Sequence, residues 1–371
     1  MAKPVSPYNS LFFRIWHSIE KPVCRDDIFR PELFIAFFLA FLLFGIRSAS
    51  RYTAVIPASL LFFYAGAKLS PKLKLGKYSF SFLTPKRTLA LAVLSILTGV
   101  FELALIGGTP LLKPGLFTDH HVIFTTIAFL SVPLAVIYLG LTGKEKLHIS
   151  SALFTAVLVL MSLLGYRTEV VALLIAFFAT AFYMKLLPQK VLYVGVALFV
   201  FSILGLGLLK AQSAGASELN VLTTRAETTL SVSNYLTEIS GMTGVYHGRV
   251  HLSAFSTLLK TPGPKFGPRT LIANTIQARP GVTITSTLAG PLILDFGIAG
   301  SLVGFLLLGV ILGRAHGAAR TGMDYAVYSV LLAFALISIE TGLIDGIVLI
   351  YYILGTVYFF RPRQCAHGLV V

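Results

Sequence analysis

Uninterrupted apolar runs dominate the pattern of this chain. They recur at 32–46, 53–68, 88–106, 121–141, 150–164, 168–183, 191–209, 288–312, 325–340 and 343–360, the first, second and fifth being short or weakly apolar. A helix rising 1.5 Å per residue needs about 20 residues to cross roughly 30 Å of hydrocarbon, so runs of this kind predict membrane spans. The segment 210–282 breaks the pattern. It holds a Gly/Ser stretch, then Leu222, Ala226, Leu230 and Ser233 at helical spacing. A second apolar stretch at 251–259 leads into a Pro/Gly run at 261–268. Long connections without structure of their own are uncommon, so short helices are expected here, lying over the mouth of the bundle. The prediction is an all-α, polytopic membrane helix bundle of about ten transmembrane helices. It forms a single integral membrane domain over 1–371, with one large outer loop at 210–282 that carries the short helices. No internal repeat is visible.

Composition agrees. Apolar residues make up 56% of 371 positions, charged residues 12%, and the mean hydropathy is +0.84. A soluble domain carries about 25% charged residues, and one of this size has nowhere to bury so many apolar runs. The N-terminus is not expected to be a cleavable signal, because Arg14, Glu20, Arg25 and Asp26 precede the first apolar run. Residues 11–18, with Phe12, Phe13 and Trp16, fit an interfacial segment. Cys24 and Cys365 lie near opposite ends with no ligand spacing, which gives a disulfide scaffold or metal site no support.

The net charge of +15 would point to nucleic acid in a soluble protein, but its placement in short loops explains it here. Lys68, Lys72, Lys74, Lys77, Lys86 and Arg87, then Lys144 and Lys146, then Lys185 and Lys190, then Arg314 and Arg320 fall on one side if the spans number ten. The N-terminal and C-terminal basic residues fall there too. The alternate loops are poorer in Lys and Arg, so both termini are expected in the cytoplasm of a multi-pass cell (plasma) membrane protein. The segment 210–282 is then expected outside. No nucleic-acid partner is expected.

Candidate chemistry gathers at the outer span ends, where an ionisable group costs about 2.5–3.5 kcal/mol if it lies at depth and so calls for a reason. In Leu163-Leu164-Gly165-Tyr166-Arg167-Thr168-Glu169, two readings stand. Either Arg167 grips an anion with Glu169 orienting it, or the two form a local ion pair closing a helical hairpin. An Arg between apolar helices suits bidentate phosphate binding. The outer loop adds Arg225, Arg249, Lys260, Lys265, Arg269 and Arg279 against Glu218, Glu227 and Glu238. That excess fits either an anionic ligand or a solvated basic face. His247 and His251 flank Arg249; each fits a general base or a plain surface residue. Asp119, His120 and His121 read best as helix capping with interfacial histidines. Glu102, Glu340 and Asp345 are placed to pair with loop arginines. No DxD motif or carboxylate cluster occurs, so neither a metal nor another cofactor is implied.

The stretch Thr283-Ile284-Thr285-Ser286-Thr287-Leu288-Ala289-Gly290 followed by Leu294-Asp295-Phe296-Gly297-Ile298-Ala299-Gly300 resembles oligosaccharide repeat-unit polymerases, related to O-antigen polymerases. Those proteins carry a Thr-rich stretch and then a D-F-G-x-x-G step into a long apolar span. The Gly-Tyr-Arg-Thr-Glu run at 165–169 is similar to their Gly-x-Arg step at an outer span end, and the late outer loop fits their layout. The full His-containing loop motif of the O-antigen ligases is absent. The resemblance implies a membrane glycosyltransferase taking oligosaccharide units from a polyprenyl-pyrophosphate-linked donor to a sugar hydroxyl of a lipid-linked acceptor. Transfer would be metal-independent and inverting, on the outer face. Its partners would be the lipid-linked oligosaccharide, membrane lipids and other glycan-assembly membrane proteins. Arg167, Arg225, Arg249, Arg269 and Arg279 would bind substrate. His247 or His251, or else Glu169, would be the base.

A lipid-linked glycan ligase differs only in its acceptor. A secondary transporter of an anionic solute is the other reading, supported by the Gly/Pro-broken run from Gly290 to Gly300.

Overall fold

The computed structural model describes residues 28–70, 82–111, 116, 121–188, 220–259, 266–278 and 284–360. Every regular element among them is helical. In chain order they are α1 (Glu32–Phe44), α2 (Val55–Leu69), α3 (Pro85–Ile106), α4 (Val122–Phe129), α5 (Ser131–Thr142), α6 (Leu147–Leu163) and α7 (Arg167–Tyr183). Then follow α8 (Asn220–Ser240), α9 (Arg249–Leu259), α10 (Pro268–Thr275), α11 (Ala289–Ala318), α12 (Gly322–Thr341) and α13 (Gly346–Phe359).

Among the described residues, five helical segments are long and apolar enough to cross a membrane: Arg51–Leu69, Pro85–Ile106, Val122–Thr142, Ala289–Ala318 and Gly322–Thr341. Helices α1, α6 and α13 are apolar but shorter. The run at 191–209 and the segment at 11–18 lie outside the described residues, as do Cys24 and Cys365.

Local sequence explains the helix limits. Thr84 caps α3 by accepting the Arg87 amide at 3.4 Å, Pro85 occupies its first turn, and Gly107 ends it in the left-handed region at φ 71°. Thr321 and Asp324 form a capping box at the start of α12. The run expected at 121–141 folds as two abutting helices. Pro133 has no amide to give the Phe129 carbonyl, and the Tyr351 hydroxyl donates to that carbonyl at 3.2 Å instead.

The most extensive helix pairing is α2 against α11. Small residues allow it: a Cβ on Gly66 would stand 2.2 Å from the Leu306 carbonyl oxygen, and one on Gly309 2.1 Å from that of Phe63. Ser59 and Ser301 share a hydrogen bond of 3.0 Å across the same seam. Helices α5, α7 and α12 pack as a second group, and α12 is buried nearly all round. By contrast, α3 turns Leu91, Leu94, Leu97, Phe101 and Leu105 outward, a face suited to lipid.

Helices α8, α9 and α10 roof one end of the bundle. They bury Val232, Leu236, Val250 and Ile272 against Leu294 of α11 and Ile344, forming a small core of their own. Asn234 of α8 donates to the Ser48 carbonyl at 2.9 Å and accepts the Thr53 hydroxyl at 3.0 Å, which ties the roof to the α1–α2 turn. At twenty-one residues, α8 is longer than the short loop helices expected; it begins close to Leu222 and runs on past Ser233, where the marked spacing stops.

Candidate functional site

A break in α11 builds the centre of the roofed end. Gly297 takes φ 70° and ψ −167°, a conformation open essentially to glycine alone, so the helix stops and restarts there. Stopping frees carbonyls that the helix would otherwise use. The loop between α8 and α9 takes them: Val245 and Tyr246 amides donate to the Leu294 carbonyl at 2.9 and 3.1 Å, and the His247 amide donates to that of Asp295 at 2.9 Å. The Ile298 amide, freed on the other side, donates to the Gly241 carbonyl at 3.0 Å. Gly244 makes the approach possible, since a Cβ there would stand 2.5 Å from the Asp295 carbonyl.

The Asp295 side chain, fully buried, then meets the first turn of α9. Its Oδ1 accepts the Val250 amide at 2.9 Å and its Oδ2 the His251 amide at 3.0 Å. These are orphan donors of a helix start, satisfied by a carboxylate from another helix. The same Oδ2 stands 2.6 Å from Nδ1 of His251. The imidazole lies nearly parallel to the Phe296 ring, with centroids 6.1 Å apart.

Two carboxylates at the α12–α13 corner collect arginines from three elements. Glu340, near the end of α12, pairs with Arg167 of α7 at 3.4 Å and with Arg225 of α8. Asp345, just before α13, accepts from Arg269 of α10 at 2.8 Å. Arg167, Arg225, Arg269, Glu340 and Asp345 keep between 21% and 43% of their side-chain surface, so a ligand can reach them. Glu169 is buried in the first turn of α7 and its carboxylate accepts the Thr168 hydroxyl at 2.5 Å. It lines a narrow cleft with Thr168, Ser338, Thr341 and Asp345. Nearby, Glu102 accepts the Thr125 hydroxyl at 2.5 Å.

The expected residues therefore divide. Arg167, Arg225 and Arg269 come together at the corner. The local Arg167–Glu169 pair does not form, because Arg167 turns to Glu340 and Glu169 points into the cleft. Arg249 and His247 are exposed on the roof; His247 has φ 49°, left-handed for a non-glycine residue. Of the two histidines, only His251 meets a buried carboxylate. Arg279, Lys260, Lys265, Asp119 and His120 lie outside the described residues. Sequence reasoning placed Glu340 and Asp345 opposite loop arginines, and both pair so. It missed the contact of Asp295 with His251, whose only sequence signal was the D-F-G step itself.

A lipid-facing helical bundle, roofed at one end over arginines and a carboxylate–imidazole pair, defines a multi-pass membrane protein. Residues 27–352 match a family model described as "Putative O-antigen polymerase", and the chain belongs to this O-antigen polymerase family. Membership implies a polymerase of polysaccharide biosynthesis that acts on a lipid-linked oligosaccharide. It is also similar to an uncharacterised protein of Methanocaldococcus jannaschii, 32% identical over 272 residues that cover 72% of this chain and 74% of that protein. No solved structure matches.

Proposed function

We propose that the protein joins oligosaccharide units by moving a growing glycan from a polyprenyl-pyrophosphate donor to a sugar hydroxyl of a lipid-linked acceptor, on the outer face of the cell membrane. About ten spans, with both termini in the cytoplasm, would put the roof outside. The observation that carries this reading is the convergence of Arg167, Arg225 and Arg269, from three separate elements, at one partly open corner beside the roof. Partly exposed ion pairs of this kind have little value for stability alone. The corner matches a doubly anionic group held at the end of a lipid.

In the step itself, the acceptor hydroxyl oxygen attacks the anomeric carbon as the bond from that carbon to the pyrophosphate oxygen breaks. His251 takes the hydroxyl proton, and the lipid pyrophosphate leaves with the electron pair. Charge grows on the leaving group, where fixed guanidiniums stabilise it most. Charge-assisted hydrogen bonds contribute about 1.5–3 kcal/mol each, so three arginines supply a useful part of the barrier. One displacement inverts the anomeric configuration.

The transporter reading drew on the broken run from Gly290 to Gly300. In transporters such breaks leave backbone groups free for ions and solutes. Here the α8–α9 loop occupies the freed carbonyls of Leu294 and Asp295, which favours the polymerase.

Reconstitution tests it. Purified protein in liposomes should lengthen a lipid-pyrophosphate-linked oligosaccharide, and Arg167→Ala or Arg269→Ala should lose most of that activity while still folding. Unchanged chain lengthening by both folded variants overturns the site. Movement of labelled solute without glycan synthesis overturns the function.

A further inference from the structure

Asp295 does more than a helix cap requires. Two backbone amides already satisfy both of its oxygens, yet Oδ2 also takes the His251 imidazole at 2.6 Å. An ionised carboxylate only accepts, so Nδ1 must carry the proton of that contact. In the neutral ring, Nε2 is then left with its lone pair free. The rest of the ring is also held: Phe296, the next residue in α11, lies against one face. One helix break thus sets the tautomer, the plane and the open edge of a single imidazole.

We propose that Asp295 is a positioning residue for the transfer step, holding His251 as the Nδ1–H tautomer with Nε2 turned to the acceptor hydroxyl. The inference rests on the assignment of His251 as the base. The coupling requires a buried, water-free carboxylate, and Asp295 is 0% exposed. Asparagine would keep the Val250 cap through its side-chain oxygen and lose only the His251 amide contact. The amide nitrogen of asparagine would instead donate to Nδ1, which forces the proton to Nε2 and removes the base.

The experiment uses the full chain in lipid nanodiscs with ¹⁵N-imidazole-labelled histidine, the His251 signal being assigned by its loss in His251→Gln. The native protein should show the Nδ1–H tautomer at His251, and Asp295→Asn should show the Nε2–H form in a folded protein whose melting temperature falls only by the one lost cap contact. Polymerisation by Asp295→Asn and by His251→Gln should each fall about 10²- to 10⁴-fold in kcat, with donor KM nearly unchanged. The double variant should fall no further than either single one, because both changes remove the same base. A native Nε2–H tautomer overturns the proposal, as does an Asp295→Asn protein that keeps its kcat while His251→Gln loses it. Effects that multiply in the double variant overturn it too. If His251→Gln polymerises at the native rate despite the expected tautomer, the base assignment fails and the positioning role falls with it.

Discussion

The α-carbon of Gly297 lies directly on the backbone of Met242: a Cβ there would stand 2.2 Å from the Met242 carbonyl carbon. This contact joins the broken span to the roof. Gly297→Ala faces two penalties together, the loss of a glycine-only conformation at φ 70° and the clash with Met242. The conformation alone costs about 1–3 kcal/mol. The variant should melt several degrees lower in detergent, and limited proteolysis should cut at 241–247, because the loop can no longer dock into the break. Native-like protection there would contradict this account of the site.

Glu340 separates two guanidiniums, Arg167 and Arg225. Without an anion it holds two like charges together, so Glu340→Gln should lower the melting temperature. Inorganic pyrophosphate should restore it, since a ligand bound only to the folded state stabilises it by mass action. The same addition should move the native protein less. Arg167→Lys should recover little of the polymerisation lost in Arg167→Ala, because an ammonium cannot present the planar fork of guanidinium. A full rescue by lysine would reduce the role of Arg167 to a point charge.

How much of this was legible beforehand depends on the range of each interaction. Helix positions followed from run length, and α2, α6, α7 and α12 begin and end within a few residues of the apolar runs. The roof helix α8 was likewise visible from Leu222, Ala226 and Leu230. Partners were harder. Arg167 and Glu169 are two apart on a helix and therefore face different directions, so the local pair that adjacency favours is ruled out by geometry. The partners that do form lie 173 and 76 residues away in the chain for Arg167–Glu340 and Arg269–Asp345. The role of Asp295 was hidden because the run from Gly290 to Gly300 offers several glycines at which to break, and nothing in its periodicity marks Gly297 as the point where the backbone turns away.

The α2–α11 seam depends on helices whose backbones almost touch. Gly309 and Gly313 are one turn apart on α11, and a Cβ on Gly313 would stand 2.5 Å from the Ala67 carbonyl oxygen. Small residues spaced in this way let spans pack by van der Waals contact in lipid, where no hydrophobic force draws them together. Gly309→Leu should push α2 away and break the Ser59–Ser301 hydrogen bond. Overpacking of this kind typically costs about 1–3 kcal/mol. Loss of the folded peak in size-exclusion chromatography, or a clear drop in melting temperature, would bear this out. The same change at Gly107, where nothing lies within 4 Å of the added atom, should be milder apart from its left-handed backbone.

Orientation decides whether the arginine corner can meet a donor presented outside the cell. Met242 lies on the roof with 63% of its surface exposed, and Lys144 is exposed in the α5–α6 turn at the other end of the bundle. In a background with Cys24 and Cys365 replaced, Met242→Cys should react with a membrane-impermeant thiol reagent added to intact cells. Lys144→Cys should react only after the membrane is opened. The reasoning is electrostatic as well as geometric: Lys144, Lys146 and Lys185 lie on the Lys144 side, and short basic loops stay in the cytoplasm. Labelling of Met242→Cys only in opened membranes would turn the roof to the cytosol. A donor could then reach the corner only from inside, and outer-face polymerisation would have to be abandoned even if every arginine variant were inactive.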